Sequence, residues 1–190
     1  MRLLAAGGTV LLGLLARTAD AQSVESTQAN AFVVNFGPMI GFVTAIYGRI
    51  NPEFQMHRGR HYYSGHALNL GPAVTWWPNE GGFAFSISGR WQYDQQLVPG
   101  TLFYVSPYLG LELGLGLFDM YTGSDVRPRL LASPIGGIDL KLIVSRRLLL
   151  SFRPVGVTVP IMFFDADFGR PNFLRVDVWY DVAFSIGTTY

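Results

Sequence analysis

Residues 172–190 constrain the fold more than any other stretch of the chain. From Leu174 onward, alternate positions read Val176, Val178, Tyr180, Val182, Phe184 and Ile186, then Thr188 and Tyr190. The positions between them read Phe173, Arg175, Asp177, Trp179, Asp181, Ala183, Ser185, Gly187 and Thr189. One set is almost wholly apolar, and the other carries three charges. A period of two is the mark of a β-strand, whose successive side chains leave opposite faces. Ordinary strands run to about 5–6 residues, whereas a tilted strand that crosses a bilayer needs about 9–11. This one has the longer kind of pattern.

The alternation recurs. Between 101 and 118, Phe103, Val105 and the leucines 109, 111, 113, 115 and 117 share one face, opposite Tyr104, Ser106, Tyr108, Gly110, Glu112, Gly114 and Gly116. Segments 83–93 and 138–144 behave alike, with Phe85, Ile87 and Trp91 against Ser86, Ser88 and Arg90, and Ile138, Leu140 and Leu142 against Asp139 and Lys141. Residues 148–163 hold the pattern only with a slip near Pro154, which a one-residue bulge supplies. Weaker strands lie at about 32–48 and 63–77. The 190-residue chain is 49% hydrophobic and 14% charged, which excludes a disordered chain. Beyond residue 21 no stretch approaches the ~18 apolar residues of a membrane helix.

The start of the chain reads differently. Met1-Arg2 is a short basic opening, Leu3 to Ala16 is apolar, and Ala19-Asp20-Ala21 offers a small-x-small cleavage site. Residues 1–21 are therefore expected to be a secretory signal peptide, and 22–190 a single β-domain. Loss of Arg2, Arg17 and Asp20 leaves acids and bases in balance, which gives nucleic acid nothing to recognise. The chain has no Cys, so disulfides, thiolate metal sites and a lipidated cysteine are all excluded.

Two architectures take long alternating strands. A secreted lipocalin-like barrel buries its apolar face, whereas a membrane barrel turns it to lipid. The membrane form is favoured by three features. The polar faces are rich in Gly, Ala and Ser. Charge gathers in turns such as 78–82 and 145–147. Aromatic residues (Trp76, Trp77, Trp91, Tyr93, Phe163, Phe164) cluster near strand ends, as the girdles at bilayer interfaces do. The expected fold is all-β: a closed antiparallel transmembrane β-barrel of eight strands in the outer membrane of a Gram-negative bacterium. Seven strands are evident. The eighth is expected within 31–62, where 49–62 otherwise reads as a long connection. With the C-terminus periplasmic, 145–147 becomes a periplasmic turn, and 119–130 and 164–171 become external loops.

Ser106-Pro107-Tyr108-Leu109-Gly110, followed by Gly114, resembles the Pro-aromatic-x-Gly strand of small barrels of the OmpA/OmpW/opacity type. Pro38-Met39-Ile40-Gly41 and Pro134-Ile135-Gly136-Gly137 are fainter echoes. The terminal Tyr190 after a long strand is similar to the signal by which outer-membrane barrels are recognised for assembly, although Thr188 departs from the usual apolar residue. The resemblance implies outer-membrane lipid and lipopolysaccharide surroundings, handling by the barrel-assembly machinery, and no cofactor.

For chemistry, His57, His61 and His66 lie close together, with Ser64 beside them. Ser64 and His66 share a strand face, so they are the weak candidates for a hydrolytic pair in a lipid-modifying enzyme. Their order reverses the His-x-Ser arrangement of barrel hydrolases, and no orienting carboxylate is evident. Asp165 and Asp167 only faintly resemble a calcium loop. The alternation points Arg90, Lys141, Arg153 and Arg175 into the lumen together with Glu112, Asp139, Asp177 and Asp181. Confined charges must pair, so the lumen is expected to be a salt-bridged plug, with Asp177 the simplest partner for Arg175. The expected role is non-enzymatic: structural, adhesive, or the passage or binding of a small apolar ligand. Leu113→Arg should be costly on the lipid face, and Gly114→Ser far less so.

Overall fold

In a computed structural model of the protein, the described residues are 30–41, 46–61, 64–77, 82–97, 102–118, 127–144, 148–164 and 173–190. They form β1 (Ala31–Gly41), β2 (Ile46–His61), β3 (Ser64–Trp77), β4 (Gly82–Gln96), β5 (Phe103–Phe118), β6 (Arg127–Ile143), β7 (Leu148–Thr158), β8 (Ile161–Phe164), β9 (Phe173–Val176) and β10 (Trp179–Thr189). Each strand from β1 to β6 pairs antiparallel with the next, and β10 joins β7 to β1. The wall is therefore closed. Near the chain ends Ala31 faces Thr189, and the Tyr190 N–H donates to the Asn30 carbonyl at 2.9 Å.

Two of the walls are interrupted strands. β7 and β8 are separated at Val159-Pro160, where proline has no N–H to give a ladder. The ladder is still stitched there, because the Val159 N–H donates to the Pro134 carbonyl at 2.9 Å and the Asp177 N–H to the Pro160 carbonyl at 3.1 Å. Opposite the break, Asp177 Oδ1 accepts the Val178 N–H at 2.8 Å and separates β9 from β10. Counted as continuous staves, β7–β8 and β9–β10 give an eight-stranded barrel. The eighth strand is β2. The weak pattern at 32–48 is not one strand but nearly all of β1 and the start of β2, and 49–61 is strand rather than connection.

The slip near Pro154 is a bulge. The register of β7 shifts against β6 between Ile138 and Leu140, and against β10 between Asp181 and Ala183. Arg153 and Gly156 both face inward on either side of it.

The two faces of the wall settle inside from outside. Ile87 is 63% exposed and Leu109 66%, whereas Arg90 and Glu53 are each 1% exposed. A water-soluble, lipocalin-like barrel needs the reverse, so that expectation fails. Without water in the hydrocarbon, every backbone polar group must pair within the wall, and a closed barrel does this with no free edge. A barrel with these faces is built to span the bacterial outer membrane.

Candidate functional site

The inward side chains are stacked in layers along the lumen. At the end that carries Asn30 and Tyr190 lies an apolar plug of Ala31, Val33, Leu102, Tyr104, Ile143 and Leu149. Nothing in the alternation singled it out, because these residues sit at strand ends where the polar face gives way to Ala, Val, Leu and Ile.

Above the plug, Asp94 on β4 gathers the next layer. It meets Lys141 Nζ at 3.2 Å and His57 Nε2 at 3.0 Å. Lys141 also donates to Gln55 Oε1 at 3.1 Å, and Asn69 donates to Gln92 Oε1 at 2.7 Å. Four strands are tied by this cluster: β2, β3, β4 and β6.

The central layer holds most of the charge. Arg90 reaches Glu53 at 2.5 Å and Asp139 at 2.9 Å. Arg153 reaches the same Asp139 at 2.7 Å and Asp181 at 2.8 Å. Between the two guanidinium groups lies the ring of Tyr108, with Arg90 4.7 Å and Arg153 4.5 Å from its centroid. The aromatic ring keeps two like charges apart and offers its electron-rich face to each. Two glycines make this possible. A Cβ at Gly137, opposite Tyr108 on β6, would meet the Tyr108 hydroxyl oxygen at 2.6 Å. A Cβ at Gly156 would overlap Asp181 Oδ1. Asn35 completes the layer by donating to Glu53 Oε2 at 2.9 Å and accepting from the Ser185 hydroxyl at 2.6 Å.

A third layer pairs Arg49 of β2 with Glu112 of β5, and the Ser86 hydroxyl donates to the same carboxylate. Arg49 is 8% exposed and Glu112 3%, so the pair is shut away from solvent.

The structure thus brings together Arg90, Glu112, Asp139, Lys141, Arg153 and Asp181 inside one lumen. Asp177 is half-buried. Besides the Val178 N–H, Asp177 accepts from Trp179 Nε1 at 3.1 Å, at the break between β9 and β10. Arg175 lies on β9, and its side chain is outside the described residues, as are Asp165 and Asp167. As lumen residues, Arg49, Glu53, His57 and Asp94 were not read from the sequence, although His57 was singled out with His61 and His66. The first three are on β2, read as a connection, so no alternation was applied to them. Asp94 lies just past the segment 83–93 and continues its polar face, a signal that was present.

Of the Ser64 and His66 pair, the structure describes the His66 side chain. His66 is exposed on the outer wall, stacked on Trp91 with ring centroids 5.4 Å apart and 5.1 Å from Tyr93. Its described neighbours are aromatic. The side chains of Ser64 and His61 are outside the described residues, and His57 belongs to the lumen. The Gly114→Ser expectation also changes. A Cβ at Gly114 would overlap the Phe85 carbonyl oxygen and meet Ser86 Cβ at 2.6 Å, so that substitution is costly too.

No family model and no curated relative matches the chain. Among solved structures, the crystal structure of Neisserial surface protein A (NspA) aligns with a TM-score of 0.45 and 14% identity, over 86% of this chain and 97% of that one. The crystal structure of the outer membrane enzyme PagL aligns with a TM-score of 0.49 and 13% identity, over 84% of this chain and 99% of that one. At such identities no residue role passes from either protein to this one. What makes this chain a transmembrane barrel is its own pair of faces, aliphatic toward lipid and ion-paired within.

Proposed function

We propose that the chain is exported on a signal peptide (residues 1–21) and works as a plugged outer-membrane barrel, non-conducting and non-catalytic, with a structural or adhesive role. The observation that carries this reading is the lumen itself. Three layers of ion pairs, backed by an apolar plug at one end, occupy the interior that a channel would need. Eight strands enclose little more than their own side chains, and here those side chains are bonded across the space between. Passage of a small ligand finds no support in such a filling. The barrel then acts through its rim: 119–126 and 165–172, which link strand ends on the side opposite Asn30 and Tyr190, would be the segments offered to other surfaces. Lipopolysaccharide is the expected neighbour of that end, and the barrel-assembly machinery the route of insertion.

Planar-bilayer recording tests the reading. Purified, refolded protein should give at most brief, irregular currents. A large and steady conductance from the unmodified chain would refute the plug and favour a channel.

A further inference from the structure

The wall is not equally tall all round. In the β1–β10 register Gly41 faces Trp179, and continuing that register would set Leu174 against position 46. Ile46 is instead paired with Ile40, back in β2. β9 therefore rises past the top of β1. One edge of β9 is bonded to β8, which β6 holds in turn. Its other edge has no strand beside it among the described residues. At about 3.3 Å per residue and a tilt of about 40°, the stave climbs roughly 35 Å from Tyr190 to Val176. That is beyond the ~25 Å apolar band of such a barrel, so this edge meets water rather than lipid.

The direction of each main-chain group follows from one bond. The Asp177 N–H donates to the Pro160 carbonyl, which continues the β8–β9 register. Bonded positions alternate along an antiparallel strand. Phe173, Arg175 and Asp177 therefore turn their main-chain groups to β8, and Leu174 and Val176 turn theirs to the open edge. The next N–H on that side, from Val178, is met by Asp177 Oδ1 at 2.8 Å. Among the described residues, no side chain does the same for Leu174 or Val176. Two N–H and two C=O groups, repeating about every 6.7 Å, are a template for another extended chain.

A second copy of this barrel does not fit that template. In one membrane both copies run β9 in the same direction, so their edges cannot pair antiparallel. A parallel pair sets each bonded residue opposite an unbonded one, a stagger that two-fold symmetry about the membrane normal forbids. We propose that β9 is a strand-addition site on the rim opposite Asn30 and Tyr190, where an extended segment of another protein pairs antiparallel with Leu174 and Val176. Main-chain hydrogen bonds supply the recognition, and the exposed Val176 side chain lies beside the added strand. The proposal rests on the reading of the barrel as one that acts through its rim, and it names the kind of partner.

Amide hydrogen exchange, followed by NMR on the refolded full chain in micelles, tests it. In the protein alone the Leu174 and Val176 amides should exchange about tenfold faster than those of Arg175 and Asp177. The probe is the soluble peptide Lys-Thr-Val-Thr-Val-Thr-Lys, which should slow both amides by about fivefold or more at saturation. The same peptide N-methylated at alternate residues should slow neither. Val176→Pro removes an edge N–H without touching the β8 ladder, and it should abolish the peptide's effect on Leu174; Leu174→Pro, read at Val176, serves if that variant does not fold. Leu174 and Val176 amides as protected as Arg175 in the protein alone would overturn the proposal. So would an absent effect of the peptide, or an equal effect of its N-methylated form. An open edge that no peptide protects defeats strand addition and leaves the plugged barrel standing, whereas steady conductance defeats the plug and leaves the edge.

Discussion

The Arg49–Glu112 pair offers the sharpest test of the lumen, because it can be perturbed apart from the rest. Arg90 and Arg153 share Asp139, so changes at either propagate. Among the described residues, Arg49 and Glu112 pair with each other, and the carboxylate also receives the Ser86 hydroxyl. Glu112→Leu leaves a buried guanidinium without counter-charge, and Arg49→Met leaves a buried carboxylate. Breaking one side of such a pair costs about 3–5 kcal/mol. Independent effects would add to about 6–10 kcal/mol in the double variant. Replacing both partners by apolar side chains of similar volume is instead close to neutral, so Arg49→Met/Glu112→Leu should fall within about 1–2 kcal/mol of the parent. Part of that remainder is the Ser86 hydroxyl, which loses its acceptor at a cost of about 1 kcal/mol. The assay is urea unfolding of the refolded barrel in lipid vesicles, followed by tryptophan fluorescence and by gel mobility. Additive single-variant costs would refute the pairing, since the two charges would then not sense each other across the lumen.

Three further outcomes are expected. Leu113→Arg, at a position 54% exposed on the lipid face, should cost about 2–4 kcal/mol near the midplane, while inward Ser133→Ala should cost less than about 1 kcal/mol because its buried hydroxyl has no bonding partner among the described residues; equal costs by urea unfolding would mean the faces are misassigned. Gly156→Ala should destabilise by about 2 kcal/mol or more, since its methyl group displaces Asp181 from Arg153, and Asp181→Ala in the same chain should recover part of the loss; additive costs would show that the crowding lies elsewhere. Because the chain contains no Cys, single cysteines report orientation cleanly: on intact cells a membrane-impermeant maleimide should label Ser124→Cys and spare Arg146→Cys, and the opposite pattern would invert the barrel.

Period-two alternation made the fold class legible wherever both faces were chemically distinct, as on β4, β5 and β10. It failed on β1 and β2 for a physical reason. Pro38, Gly48 and Pro52 dilute the apolar face there, and inward Asn35, Asn51 and Gln55 are bonded partners rather than solvated groups. Direction along a strand gave Arg90, Asp139 and Arg153 their inward placement. Partner choice was illegible, because it depends on which strands face each other across the lumen. Arg90 bonds to β2 and β6, neither of which neighbours β4 in the sheet. The break at Asp177 was illegible too, because the alternation runs unbroken through 177–178 in the sequence, while the backbone leaves the ladder there.

Those cross-lumen bonds bear on why a barrel of this size keeps charge inside at all. Well-packed apolar residues would fill the lumen at no loss of stability, but both faces of every strand would then be apolar. Sliding a strand by one residue exchanges its faces, and in an apolar-filled barrel that exchange would cost little in a bilayer. Here the same slip on β4 would carry Arg90 and Asp94 into hydrocarbon and break bonds to β2 and β6 together. A slip on β7 would do likewise to Arg153 and its contacts with β6 and β10. Each ion pair thus fixes the register of two strands, and Asp139, bonded to both arginines, fixes β4, β6 and β7 against one another. The bulge at Pro154 belongs to the same device. Without it, the inward series Leu149, Ser151 and Arg153 could not continue through Gly156, the one residue small enough to let Asp181 reach Arg153.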